Sequence, residues 1–192
     1  MELAGSNIGF ALTGSFCTLK SVIEQMQKIK SLGANIIPIM SEMVYCTDTR
    51  FGKAVDFIQQ TEEICGNKII ASIEKAEPIG PKKLFDLLII APCTGNTLAK
   101  LATGVNDTCV TMAAKAHLRN AKPLLLFVST NDGLAAAAKN IGMLLNYKNV
   151  FFTPFGQDDH IQKPNSLVAK CDMLIPSAEH ALEYSQIQPI IM

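Results

Sequence analysis

A chain of 192 residues with 17 basic and 17 acidic side chains has no formal net charge, and neither Lys nor Arg gathers into a run, which excludes a bulk electrostatic footprint for nucleic acid. Hydrophobic residues make up 48% of it, enough for one large core in a single domain over residues 1–192, and every apolar run is too short to span a bilayer. The six cysteines (Cys17, Cys46, Cys65, Cys93, Cys109, Cys171) show no CxxC and no His at ligand spacing, and the start MELAGSNIGF carries Glu2 and no basic stretch; the expectation is a cytoplasmic protein with buried thiols, no metal site and no leader.

The chain opens with a predicted strand, NIGFAL (Asn7–Leu12), then the turn TGSF and an apolar stripe at Leu19, Val22, Ile23, Met26 and Ile29. Spacings of three and four residues mark one face of a helix, and Gly33 stands where a helix stops. NIIPIM (35–40) reads as a second strand, giving a β-α-β unit with a crossover long enough for parallel pairing. The stretch SEMVYCTDTRFGKA has no clean period, a helix follows with Ala54, Phe57, Ile58 and Ile64 on its apolar face, and Gly66 closes it.

KIIAS (68–72) predicts a third strand, and the two prolines of IEKAEPIGPKK predict an irregular loop. DLLIIAP (86–92) is apolar without alternation, as in a strand covered on both faces. Helical stretches follow to Ala102 and, after Gly104, over TCVTMAAKAHL; PLLLFVS is another buried strand, LAAAAKNIGMLL a helix and NVFFTPF the last strand. KPNSLVAKC and SAEHALEYSQ read as closing helices, with Pro164 near a helix start. This alternation predicts an α/β fold, a single-domain Rossmann-like doubly wound sheet of about six mostly parallel strands with helices on both faces.

Polar turns fall at three of the predicted carboxyl ends: TGSF, SEM and PCTGNT. A doubly wound sheet brings such ends to one rim, where ligands bind. TGSF lacks both GxGxxG and GxxxxGK[ST], so neither the dinucleotide fingerprint nor the P-loop is present. Gly14 and Ser15 at a helix start still offer N–H groups and a hydroxyl to a phosphate, or simply cap the helix. In PCTGNT one of Thr94, Asn96 and Thr97 suffices as a cap; the others are left for a ligand or for solvent, with Gly95 removing the one Cβ between them.

LTGS, IIAPCTGNTLAKLATGVNDT and KPLLLFVSTN together resemble the flavin-containing cysteine decarboxylase-like flavoproteins, whose hallmark Pro-Ala-Ser-Ala-Asn-Thr is met here by Pro92, Cys93, Thr94, Gly95, Asn96 and Thr97. The resemblance implies FMN held at a subunit interface in a trimer or dodecamer. It further implies Gly14 and Ser15 at the phosphate, Ser41 near the flavin, Thr94, Asn96 and Thr97 on flavin or phosphate, and Thr108 as an addition.

Two features depart from the family. The segment after the third predicted strand holds no His to act as the decarboxylase acid, and Pro-x-Met-Asn is reduced to VSTN, keeping Asn131. Further stretches (TGSFCTL, TRFG, NYKNVFFTPFGQDD, KPNSLVA) resemble a branch of the family that works in sporulating bacteria. There a flavoprotein-like subunit joins a second, A-type subunit, which carries NADP if a nicotinamide is used, to oxidise a small cyclic dicarboxylate in the mother cell.

For such a substrate Arg50 and Lys163 are the candidate carboxylate partners, since Arg grips a carboxylate with two hydrogen bonds and Lys supplies a point charge. Each also reads as a solvated charge, Asn131 as a donor to substrate or the close of a turn, and Asp158 and Asp159 as orienting groups or caps. His117, His160 and His180 read as ordinary, partly exposed histidines, and Cys93 as a small buried filler. Three functions stay open: a redox subunit, a non-catalytic subunit that binds substrate or partner in a degenerate flavin pocket, and an FMN-dependent decarboxylase.

Overall fold

Strands that are apolar without alternation must be covered on both faces, and the structure, a computed structural model that describes residues 3–192, gives them that cover. Met1 and Glu2, on which the expectation of no leader partly rests, lie outside the described residues. In chain order the elements are β1 (Asn7–Leu12), α1 (Phe16–Ser31), β2 (Asn35–Met40), α2 (Glu42–Cys46), α3 (Ala54–Cys65), α4 (Ile73–Ala76), α5 (Ile79–Lys82) and β3 (Leu87–Cys93). They continue with α6 (Gly95–Thr103), α7 (Cys109–Leu118), β4 (Leu124–Thr130), α8 (Ala138–Leu145), β5 (Val150–Phe152), β6 (Phe155–Gln157), β7 (Leu167–Ala169) and, after a 3-10 turn at Cys171–Met173, α9 (Leu174–Leu182).

One seven-stranded sheet runs in the order β2-β1-β3-β4-β7-β6, with β5 beside β4. β2, β1, β3, β4 and β5 are parallel; β7 and β6 are antiparallel additions. β4 splits its outer edge: Leu124–Leu126 pair with β5, and Ser129 and Thr130 pair with β7. Every residue of β3 is buried, and the stripe read from the sequence, Leu19, Val22, Ile23, Met26 and Ile29, is the buried face of α1. Full burial of each such side chain contributes about 1.5–3 kcal/mol, so the strands and this face dominate the core. α1 and α9 pack together on one side of the sheet, and α6 and α7 meet on the other. The doubly wound architecture expected from the alternation is the one observed.

Gly66 ends α3 in the left-handed region (φ 68°), donating its N–H to the Glu62 carbonyl, as a C-terminal glycine should. Gly9, inside β1, has another reason: a Cβ there would lie 2.5 Å from the Phe85 ring, so the core aromatic fits only against bare backbone.

Several local expectations fail. KPNSLVAKC is not helical; it supplies β7 and the turn before it, because Leu167 and Ala169 face the core at a spacing of two while Pro164 lies in an exposed turn. NVFFTPF is not one strand: it breaks at Thr153–Pro154 into parallel β5 and antiparallel β6. KIIAS supplies a single bridge, Ile39 to Ile70. The 73–83 segment is not irregular but holds α4 and α5, since Pro78 and Pro81 fall at the N-cap and in the first turn of α5, where no N–H is needed. α8 also starts later than predicted, because Ala135 and Ala137 donate to the Asp132 carbonyl in a turn of their own.

Of the thiols, Cys65, Cys93 and Cys109 are buried, Cys171 is half-buried, and Cys17 and Cys46 are exposed, so burial holds for only part of the set. His160 and His180 are exposed, but His117 is not the partly exposed histidine expected. It is 2% exposed, its Nε2–H donates to the Pro123 carbonyl at 2.8 Å, and its ring tilts against Phe85. Burial pushes its pKa down to about 4, with the Pro123 carbonyl opposing. Between pH 6.5 and 4 the unfolded imidazole binds a proton that the folded one does not, so stability must fall as pH drops through that window. We expect the native protein to lose about 2 kcal/mol more than His117→Gln between pH 7 and 4.5 in urea melts. Parallel curves for the two proteins would be the contrary result.

Candidate functional site

The order β2-β1-β3 puts the reversal of winding between β1 and β3, where the connections leave in opposite directions and open a crevice. Thr13, just past β1 and 1% exposed, ties the crevice together. Its hydroxyl donates to the Pro92 carbonyl at 2.7 Å and accepts from the Thr94 N–H at 3.2 Å. Two adjoining clefts, sharing Gly14 and Thr94, open over this point.

The first cleft, about 420 Å³, is lined by Thr13, Gly14, Ser41, Glu42, Met43, Thr94 and Asn96 and, along α6 and α7, by Thr97, Lys100, Thr108 and Val110. Thr94 caps α6, its hydroxyl accepting from Thr97 N–H at 3.3 Å, and the two hydroxyls meet at 3.0 Å. Asn96 is exposed, and its amide has no hydrogen bond within the described residues. Of the three polar residues of PCTGNT, Thr94 and Thr97 therefore satisfy the helix and Asn96 is free. Thr108 and Thr111 form a reciprocal capping box at the start of α7. The Ser41 hydroxyl is buried with no hydrogen-bond partner among the described residues, which leaves it in want of a partner from the cleft. Lys100 reaches Asp107 at 2.6 Å, and that lysine holds the Asp107 carboxyl below its ordinary range.

The second cleft, about 480 Å³, begins at Gly14, Ser15 and Cys17 and runs past Ser129, Thr130 and Asn131 to Arg50, Asp158, Lys163 and Ser166. α1 opens without a side-chain cap: the Ser15 hydroxyl turns instead to Ser129 at 2.8 Å, and Thr18 bonds the Ser15 carbonyl. Gly14, Ser15, Phe16 and Cys17, at the start of a sixteen-residue helix, thus line the cleft with no side-chain cap across the first turn.

Arg50 is exposed and lies over the Phe51 ring, 4.9 Å from its centroid. Lys163 pairs with Asp158 at 3.2 Å, both exposed, an interaction worth about 0–1 kcal/mol and readily exchanged for a ligand. Asn131 is exposed at the end of β4. Asp159 serves as a cap, accepting from Ile161 and Gln162 N–H. Cys93 is fully buried, and burial raises its thiol pKa well above the ordinary value, as befits a filler.

All ten predicted site residues line these two clefts: Ser15, Arg50, Asn131 and Lys163 the second, the other six the first. Thr13, Lys100, Ser129 and Ser166 are lining residues that the sequence alone does not single out. Thr13 and Ser129 act through partners 79 and 114 positions away, and Ser166 sits in a segment whose sequence reads as helix. A groove of about 470 Å³ along α3 lies away from this rim, and its one ion pair, Glu62 with Lys68 at 2.7 Å, satisfies itself.

The donor set of the two clefts, backbone N–H groups at a helix start with hydroxyls, an amide and an orphaned buried serine, fits a phosphate-bearing flavin. Comparisons agree with that chemistry. Residues 1–175 match the model of the family described as Flavoprotein. The chain is 46% identical over 191 residues to the B subunit of dipicolinate synthase from Bacillus subtilis, covering all of this chain and 96% of the relative. It matches the crystal structure of the corresponding dipicolinate synthase B subunit from Bacillus halodurans at TM-score 0.91 and 44% identity, over 100% and 98% of the two chains. An FMN-dependent cysteine decarboxylase, SpaF, shares the fold at TM-score 0.69 and 18% identity, over 95% and 98%.

The capping box makes Thr108 a stability residue as well as a candidate contact. Thr108→Ala should cost about 1 kcal/mol in denaturant melts, and Thr108→Ser should restore most of it. An unchanged midpoint for Thr108→Ala would mean that the box carries no weight.

Proposed function

The chain belongs to the flavoprotein family, and from that premise we propose that it acts as the B subunit of a dipicolinate synthase. In this reading it works with an A subunit to form dipicolinate by oxidising a dihydro- or hydroxytetrahydro-dipicolinate precursor in the mother-cell cytoplasm during sporulation. The observation that carries the reading is the meeting, at Gly14 and Thr94, of a cleft lined by hydroxyls and an amide with a second cleft that joins the uncapped start of α1 to two cationic side chains, in a chain 46% identical over its full length to such a subunit.

Gly14 and Ser15 hold the FMN phosphate at the uncapped start of α1, and Ser41, Thr94, Asn96, Thr97 and Thr108 hold the rest of the cofactor. Bound flavin supplies a hydride acceptor; NADP carried by the A subunit is the further redox partner. Arg50 takes one substrate carboxylate with its planar fork, and Lys163 leaves Asp158 for the other. Asn131 orients the ring between them. Aromatisation of the ring makes the oxidation downhill, so the chain's task is to bind and orient. The chain assembles as a trimer or dodecamer, with the cofactor near a subunit interface.

The absence of a histidine from the described lining of either cleft favours a second reading, a subunit that holds substrate or partner without turning it over. It also weighs against a decarboxylase, which would release carbon dioxide from a peptidyl-cysteine or related thiol.

Visible absorption of the purified protein, followed by FMN titration, separates these readings. Flavin bands or saturable binding are expected, weakened about tenfold or more in Asn96→Ala; no binding leaves the substrate-holding role. Arg50→Ala should raise KM for the dicarboxylate about 10–100-fold with FMN affinity unchanged, the range for losing a charge-assisted bond. Unaltered kinetics would remove Arg50 from the site.

A further inference from the structure

Just before α3 the stretch TDTRFG closes on itself. Thr49 and Gly52 exchange backbone hydrogen bonds at 3.0 and 3.1 Å, the Thr49 hydroxyl accepts from the Phe51 N–H at 3.2 Å, and Asp48 Oδ1 accepts from the Ala54 N–H at 2.8 Å. Gly52 makes the turn possible, because its φ is 152° and a Cβ there would lie 2.9 Å from the Phe57 ring. Arg50 and Phe51 are left at the tip, and both line the second cleft. Phe51 is 46% exposed, an area that its ring must largely supply, and the Arg50 guanidinium carbon lies over that ring, 4.9 Å from the centroid. The other aromatic residue of the lining, Phe16, is packed against the core.

A phenyl ring kept in water by a fixed turn has apolar surface to offer, and the cation resting on it is held weakly, as such contacts are in solvent. A flat ring can take the place of the guanidinium on Phe51, gaining a stacked contact while the guanidinium turns to a carboxylate on the edge of that ring. We propose that Phe51 is a specificity-determining residue of the second cleft, a stacking platform that selects the flat ring of a cyclic dicarboxylate and releases Arg50 to bind one of its carboxylates.

Resting on the dicarboxylate reading above, the inference names the feature that is read. Either precursor carries at least one tetrahedral ring carbon and the aromatic product carries none, so the ring flattens as the oxidation proceeds and its contact with Phe51 grows. An interaction that strengthens along the reaction path lowers the barrier. The same contact retains the product.

Calorimetric titration of the protein in excess FMN with pyridine-2,6-dicarboxylate, which is flat, and piperidine-2,6-dicarboxylate, which is puckered, tests this. The readout is the change between native protein and variant in the ratio of the two affinities, in which contributions that do not involve residue 51 cancel. Phe51→Leu should shift the ratio about threefold to tenfold away from the pyridine, the worth of one aromatic pair. Phe51→Tyr should restore it. Phe51→Trp supplies an indole to a chain that has no tryptophan; its emission should be quenched saturably by the pyridine ligand and little by the piperidine, and this variant decides if Phe51→Leu fails to fold. If both ligands bind and Phe51→Leu leaves the ratio unmoved, the inference is overturned while the dicarboxylate reading stands; a fall in FMN affinity in that variant would then show the ring serving the cofactor instead. If neither ligand binds the native protein, both fall together.

Discussion

A single buried hydroxyl holds the rim of the sheet in register. Thr13 satisfies the Pro92 carbonyl and the Thr94 N–H at once, where β1 and β3 part company and their connections diverge. Leaving either backbone group unpaired in that setting would cost about 1–3 kcal/mol, more than a surface contact could return. Because the two strand ends cannot separate, the starts of α1 and α6 stay beside each other, and the clefts they frame keep a common wall at Gly14 and Thr94.

That arrangement concentrates helix starts without concentrating charge. α1, α6 and α7 all begin at the rim, each with orphan N–H groups, and the second and third are capped by threonine. The cations of the two clefts are already engaged, Lys100 and Lys163 with aspartates and Arg50 over an aromatic ring. This balance suits a chain whose overall charge is zero.

How much of this the sequence disclosed follows from where each signal lies. β1, β3 and β4 are continuous apolar runs and α1 has a complete stripe, so local pattern alone identifies them. β7 is three residues long and makes sense only against Ser129 and Thr130, so nothing local marks it as strand rather than helix. The same division holds in the site. Thr94, Asn96 and Thr97 announce themselves as a polar knot after an apolar strand, yet which of them is spent on the helix is visible only in the fold. Thr13 and Ser129 look ordinary in sequence because their partners are distant. His117 misled for the opposite reason: an ionisable side chain on a helix suggested solvent, while the sheet buried it beside Phe85.

The margins of the sheet have a consequence for assembly. On one side β2 carries Pro38, which has no N–H, and the backbone of Ile70 takes up the neighbouring donors and acceptors of Pro38 and Met40. On the other, the backbone of residues 190–192 lies along β6, bonding both polar groups of Phe155. Both flanks of the ladder are thus capped by short, irregular pieces of the same chain, a device that discourages strand addition and the aggregation it seeds. A chain adding a strand beside β2 or β6 would first have to displace these pieces, so the two margins guard the sheet with backbone that the fold itself supplies.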